Sequence, residues 1–220
     1  MRRSRTDGAL GLRALALALA LAACGATPGN PVAPRCPTDR TVVLASQADL
    51  ARLARCTSAP GVTIRSGAAL DTSVLHALVT ITGDLVIGPT VGTSEIMLGE
   101  LRVVGGAIRV AGNTLMHGLL LPRLERAGRI EIDGNAAVAT VSLPRLTAVH
   151  GALRITDNAS LELVDLSMLR EIDQELALTG DPELALVEAP VLKAAASVQI
   201  EVPKLSPEAA DRLRAVAPTP

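Results

Sequence analysis

An internal repeat with a spacing of 22 to 23 residues runs through most of this 220-residue chain. Each unit opens with a small or polar residue that is followed by apolar residues two and four positions later. The opening residues are Gly83, Gly106, Gly128, Gly151, Gln174 and Ala196. Alternation of this kind predicts a short β-strand with one buried face. Self-similarity at this spacing predicts a solenoid in which equivalent strands of successive units stack.

Other columns of the unit also keep their chemistry from one coil to the next. Apolar residues recur at the thirteenth, fifteenth and eighteenth positions after each opening residue. The seventh position is polar in four coils, as Asn113, Asn135, Asn158 and Asp181. Asparagines at equivalent turns hydrogen-bond the backbone of the neighbouring coil, so we interpret this column as a structural ladder of turns. A column that binds a ligand or calcium is the alternative.

A single coil of this size cannot bury its apolar columns, whereas stacked coils share one continuous core. The sequence therefore predicts a mainly β chain with short helices, folded as a right-handed parallel β-solenoid of about six coils. Helices are expected to cap both ends of the stack. The first follows Ser46, which resembles a capping box with Asp49, and the second starts at Ser206-Pro207 and runs to about Val216.

The N-terminus has the composition of an export signal. Residues 1–13 carry four arginines, and residues 14–23 are only alanine and leucine, a run too short to span a bilayer. The segment Leu21-Ala-Ala-Cys24 resembles the lipobox of bacterial lipoproteins. That resemblance implies cleavage before Cys24, attachment of lipid to its thiol, and a place in the cell envelope, at the outer membrane. A plain signal peptide that is cleaved near Ala23 is the alternative.

These features divide the chain into four segments. They are a lipoprotein signal peptide (1–23), a Pro/Gly-rich tether (24–35), the solenoid (36–205), and a C-terminal capping helix with its tail (206–220). The expected partners are the membrane, through the lipid anchor, and a protein or glycan of the envelope. We expect the chain to be a monomer.

The solenoid also carries a more specific pattern. One coil reads Gly151-Ala-Leu-Arg-Ile-Thr-Asp-Asn158, and the N-terminal unit runs from Cys36 through a strand and a short helix to Cys56. Together these features resemble the receptor L domain, the leucine-rich-repeat-like solenoid unit of insulin-receptor and growth-factor-receptor ectodomains. The resemblance implies a disulfide between Cys36 and Cys56, with two buried free thiols as the alternative. The chain departs from that family in lacking glycine at 174 and 196, in having no aromatic residue, and in showing a single L domain without receptor, cysteine-rich or kinase parts, so hormone or growth-factor binding is not implied.

Composition excludes several function classes. The chain has no Phe, Tyr or Trp and a net charge of −1, so it has neither the aromatic platforms nor the basic stripe of a nucleic-acid-binding protein. His76, His117 and His150 fall in different columns of the repeat, which argues against a metal site. No sequence motif of a hydrolase or of a phosphate-binding loop is present. We therefore expect no enzyme activity, no cofactor and no metal.

The outward positions of the strands are the most plausible contact surface. There Arg109, Arg129 and Arg154 form a candidate binding ridge on an otherwise acidic protein, with a mixed solvated face as the alternative. The leading hypothesis is a lipid-anchored envelope protein whose non-catalytic repeat domain binds a protein or glycan. A spacer lipoprotein without a specific ligand is the second hypothesis. An envelope hydrolase that uses a carboxylate pair is the third.

Overall fold

Parallel strands are the main regular structure of residues 36–218, the part of the chain that the computed structural model describes. The strands are β1 (Val42–Leu44), β2 (Ser58–Ala59), β3 (Val62–Ser66), β4 (Thr80–Ile81), β5 (Leu85–Thr90), β6 (Glu95–Met97), β7 (Val103–Ala111), β8 (Gly118–Leu120), β9 (Arg126–Asp133), β10 (Thr140–Ser142), β11 (Ala148–Val149), β12 (Leu153–Thr156), β13 (Leu163–Asp165), β14 (Glu171–Thr179), β15 (Leu186–Glu188) and β16 (Ala194–Glu201). The helices are α1 (Gln47–Leu53), a 3-10 helix (Thr72–Leu75) and α2 (Pro207–Arg214). Strands β6, β8, β10, β13 and β15 form a five-stranded sheet, here called the small sheet, and the other eleven form the large sheet.

The register of the large sheet reproduces the sequence repeat. Leu85 lies opposite Ile108, Ile108 opposite Ile130, and Ile130 opposite Leu153, so each coil pairs with the next at the spacing of the repeat. Every pairing in both sheets is parallel. The predicted class, a mainly β chain with short helices folded as a parallel β-solenoid, is confirmed.

The solenoid has about seven turns, one more than the sequence predicts. The additional turn is the N-terminal one, where Val42 of β1 pairs with Val62 of β3, a shorter separation along the chain than in the later coils. In this turn α1 occupies the stretch in which later coils form a strand of the small sheet. The repeat pattern is therefore lost there, although the backbone still completes a turn.

The core lies between the two sheets and consists of aliphatic side chains in continuous columns. Leu85, Ile108 and Ile130 of the large sheet are at most 1% exposed, and Leu119 and Val141 of the small sheet are fully buried. Branched aliphatic side chains suit stacked strands because they pack closely across a parallel sheet. The solenoid therefore fills its interior without a single aromatic ring.

The helices cap the stack only in part. At the C-terminal end α2 packs against β16, with Ala210 and Leu213 buried, and Arg214 donates to the Ile200 carbonyl at 3.1 Å. At the other end Ser46 and Asp49 form the predicted capping box of α1. Helix α1 then packs beside β1 and the 3-10 helix. The C-terminal cap covers the last strand of the large sheet, and within residues 36–218 the last strand of the small sheet has no partner on its outer edge.

Cys36 and Cys56 form a disulfide, as the resemblance to L domains implies. Their Cα atoms lie 5.5 Å apart and the closed segment contains β1 and α1. Cys56 is 1% exposed and belongs to the core, whereas Cys36 is exposed, so the crosslink ties the surface of the first turn to the core.

We expect the double substitution Cys36→Ser/Cys56→Ser to lower the free energy of unfolding by about 3 kcal/mol, because the crosslink restricts the unfolded chain. Urea denaturation with and without a reductant measures the effect. The reductant should destabilise the wild-type protein by a similar amount and leave the double variant unchanged. Equal stability of the oxidised wild-type protein and the variant would contradict the prediction.

Candidate functional site

The structure places the three arginines of the candidate ridge on the outer face of the large sheet, on β7, β9 and β12. Arg109 donates from Nη1 to Asp84 at 3.1 Å and from Nε to Glu131 at 3.0 Å. The hydrogen bond to Glu131 is the main reason why the pKa of Arg109 is raised. Arg129 also contacts Glu131, at 3.3 Å.

The third arginine has its own carboxylate: Arg154 on β12 lies 2.7 Å from Glu175 on β14. Because the repeat sets each residue beside its equivalent in the next coil, acids and bases of successive coils meet across the strands. The ridge is therefore a row of paired charges. Each arginine side chain is 40–49% exposed, and exposed pairs of this kind contribute about 0–1 kcal/mol each.

The polar column predicted at the turns forms a continuous buried ladder. Asn113 donates from Nδ2 to Oδ1 of Asn135 at 2.8 Å, and Asn135 donates in the same way to Asn158 at 2.9 Å. Each amide also donates to a carbonyl of the preceding coil, which is Ile87 for Asn113 and Val110 for Asn135. All members of the column are fully buried, so their polar atoms bond the turns together and present nothing to a ligand in solvent.

The ladder ends differently on its two sides. At the N-terminal side Thr90 donates to Oδ1 of Asn113 from both its backbone N–H and its hydroxyl. At the C-terminal side Oδ1 of Asp181 accepts from the backbone and side-chain N–H groups of Asn158, while its Oδ2 has no partner among the described residues. Burial raises the pKa of Asp181, against the lowering effect of the bonds from Asn158.

A groove of about 660 Å³ lies between β15 and α2. Its apolar lining includes Leu186, Val187, Ala189, Leu192, Leu213 and Val216. Leu186 is 48% exposed, an unusual degree for a leucine on a strand. Glu188 and Arg212 add one negative and one positive charge to the lining.

The backbone along this groove is an open sheet edge. In earlier coils the N–H that follows each strand of the small sheet donates to the next coil, as Leu143 does to Asp165 and Leu166 does to Glu188. Ala189 stands at the equivalent position, one repeat after Leu166, and no strand follows β15 in the small sheet within residues 36–218. The sequence does not predict this groove, because the repeat shows where the stack ends but not which of the two sheets α2 covers.

The acidic side chains that could form the carboxylate pair of a hydrolase lie on both sheets. Glu131 and Asp133 lie on β9 of the large sheet, whereas Asp165 lies on β13 of the small sheet. His150 contacts Asp173 at 3.4 Å on the surface. Within residues 36–218, no three His, Cys, Asp or Glu side chains are grouped so as to hold a metal ion. No helix of this same part of the chain is long and apolar enough to cross a membrane.

Comparison of the chain with protein-family models, with curated proteins and with solved structures gives no match. The predicted signal peptide, Cys24 and the tether lie outside the described residues.

Proposed function

We propose that this chain is a lipid-anchored protein of the bacterial cell envelope that displays an L-domain-like solenoid as a non-catalytic binding module. We propose further that the module binds an extended segment of a partner protein along β15. The observation that carries this proposal is the open edge of β15 beside the apolar groove. A free edge next to apolar pockets is the arrangement by which domains bind peptides as an added strand.

The chemistry of the groove defines the partner segment. The backbone of β15 offers main-chain hydrogen bonds, and Leu186, Val187 and Leu213 offer an apolar surface for alternate side chains. The charges of Glu188 and Arg212 balance, which favours a segment without a large net charge. A glycan fits less well, because the chain has no aromatic side chain on which a sugar ring would stack.

The proposed location rests on the sequence of the N-terminus. A cysteine directly after Leu-Ala-Ala at the end of an apolar run resembles a lipobox. Two or more acyl chains on Cys24 would hold the protein on the membrane stably, whereas one chain is marginal. The Pro- and Gly-rich residues 25–35 would then act as an extended tether between the lipid and the solenoid.

The test is site-specific photocrosslinking in the cells that make the protein, with the photoreactive residue at Leu186. We expect an adduct with one protein, mapped by mass spectrometry to an extended apolar segment. The matched control position is Leu115, a similarly exposed leucine (52%) in the turn between β7 and β8, in the middle of the stack and off any free strand edge, which should give no adduct. Replacing Arg109 and Arg154 with alanine should leave the adduct at Leu186 unchanged, because the paired charges lie on the large sheet.

Other outcomes contradict the proposal. An adduct with a second copy of this chain would make the groove a self-association surface. Adducts of equal yield at both positions would indicate no specific site.

The paired charges of the large sheet favour the spacer lipoprotein as a second candidate function, since a neutral mixed face is what a protein without a ligand would present. Absence of any adduct at Leu186 and Leu115 would support the spacer.

A further inference from the structure

Asp181 is the one acid in a buried column of amides, and the difference has a chemical consequence. In Asn158, Oδ1 accepts hydrogen bonds while Nδ2 donates to the carbonyls of Ile132 at 3.1 Å and Thr156 at 2.9 Å. Asp181 keeps the acceptor half of this pattern: its Oδ1 accepts from Asn158 at 2.8 and 3.1 Å. Its Oδ2 takes the place of the donor and has no partner within residues 36–218.

The strand register indicates which carbonyl groups are the equivalents, for Asp181, of those that Asn158 bonds. Ile132 pairs with Ile155, and Thr156 pairs with Thr179. The carbonyls that are equivalent to the acceptors of Asn158 are therefore those of Ile155 and Thr179. An ionised Asp181 would set a buried negative oxygen against carbonyl oxygens, which is costly without a donor or a cation.

The charged groups near Asp181 do not supply a cation. Asp157 precedes Asn158 in the adjacent turn, and Asp133 ends β9; both are acids. Glu183, two residues further along, is paired with Lys204 after β16. Among the described residues no basic side chain forms an ion pair with Asp181.

We propose that the folded protein carries Asp181 as a neutral carboxylic acid, with the proton on Oδ2 donated to the carbonyl of Ile155 or Thr179, and that this proton fastens the last turn of the ladder. The turn that joins β14 to β15 is thereby a pH-sensitive element. This inference is independent of the proposed binding function.

Burial keeps the pKa of Asp181 above the ordinary value of 3.8, and the negative charges of Asp157 and Asp133 add to the increase. The folded chain therefore holds this proton more tightly than the unfolded chain does. Its contribution to stability is complete below the unfolded pKa and is lost as the pH rises through the folded pKa. An ordinary paired carboxylate has the opposite pH dependence, because its contribution to stability is lost as the pH falls.

The experiment compares the wild-type protein with Asp181→Asn, which restores a donor at this position. We expect Asp181→Asn to be the more stable protein at about pH 7, with an unfolding equilibrium constant that falls relative to wild type about tenfold for each pH unit over which the folded chain keeps the proton and the unfolded chain does not. The difference between the two proteins in free energy of unfolding, measured by urea titration, should widen as the pH rises from about 4 to about 8. Asp211→Asn, which removes a 74% exposed carboxyl from α2, is the control and should show no such widening.

A second measurement detects the proton itself. The infrared difference spectrum of wild type minus Asp181→Asn at neutral pH should contain the C=O band of a protonated carboxyl group, and the Asp211→Asn difference should not. A carboxylate band in its place would overturn the proposal. Equal or lower stability of Asp181→Asn at neutral pH would also overturn it, as would a gap that narrows with rising pH.

Discussion

Replacing Asn135 with leucine is expected to cost the solenoid about 5 kcal/mol or more, since each buried polar group left without a partner costs about 1–3 kcal/mol. Leucine matches asparagine in size but removes donors to Val110, Asp133 and Asn158 and the acceptor for Asn113. Water cannot replace these bonds easily, because Asn135 is fully buried. A loss of this size is comparable to the whole stability of a small domain, about 5–15 kcal/mol.

Urea denaturation, followed by circular dichroism, measures this loss. A variant that fails to fold would agree with a loss of this size. The control is Thr140→Leu on β10, a half-exposed position in the same coil. That variant also exchanges a polar residue for leucine, and its stability should change by only about 0.5 kcal/mol because it leaves the ladder intact. Equal stability of the two variants would show that the ladder does not hold the coils together.

The sequence was sufficient to predict the features that each coil repeats. Strand positions follow from the alternation of apolar residues, and the Asn column follows from its fixed place in the unit. The repeat does not count the N-terminal turn as a coil, because this turn is shorter than the later coils and contains α1 in place of a strand. The repeat of apolar residues therefore identifies only those turns of the solenoid that keep the same spacing and the same elements.

Contacts between coils were harder to predict than the coils themselves. Arg109 stands one repeat before Glu131, so the repeat places the two side by side. The arginines taken alone nevertheless indicate a basic ridge, because the pattern of one residue type does not show its ion-pair partners. The groove at β15 depends on where α2 packs, which no periodicity encodes. The sequence shows that the column has an acid at position 181. Only the structure shows that Oδ2 of this acid replaces an amide nitrogen that, in Asn158, donates to a backbone carbonyl.

The opening glycines of the repeat lie where the backbones of successive coils approach closely. Gly105 and Gly106 form a bulge opposite the single residue Gly128, since Val104 pairs with Ala127 and Ala107 with Arg129. A Cβ atom on Gly128 would lie 2.5 Å from the carbonyl oxygen of Gly105 and 2.6 Å from that of Gly106. Both obstacles are backbone atoms of the preceding coil, so no side chain can turn away to make room.

Gly128→Ala is therefore expected to lower the free energy of unfolding by about 3 kcal/mol, at the upper end of the costs of overpacking a core. Relief of the clash requires the two coils to separate, which strains the bonds from the Glu125 and Arg126 N–H groups to the Arg102 carbonyl. Gly99→Ala is the matched control, because a Cβ there meets nothing within 4 Å. It should be neutral or stabilise by about 0.4–1 kcal/mol through the unfolded state. Thermal and urea denaturation of both variants measures the difference, and equal stability would show that the coils can part at this corner without cost.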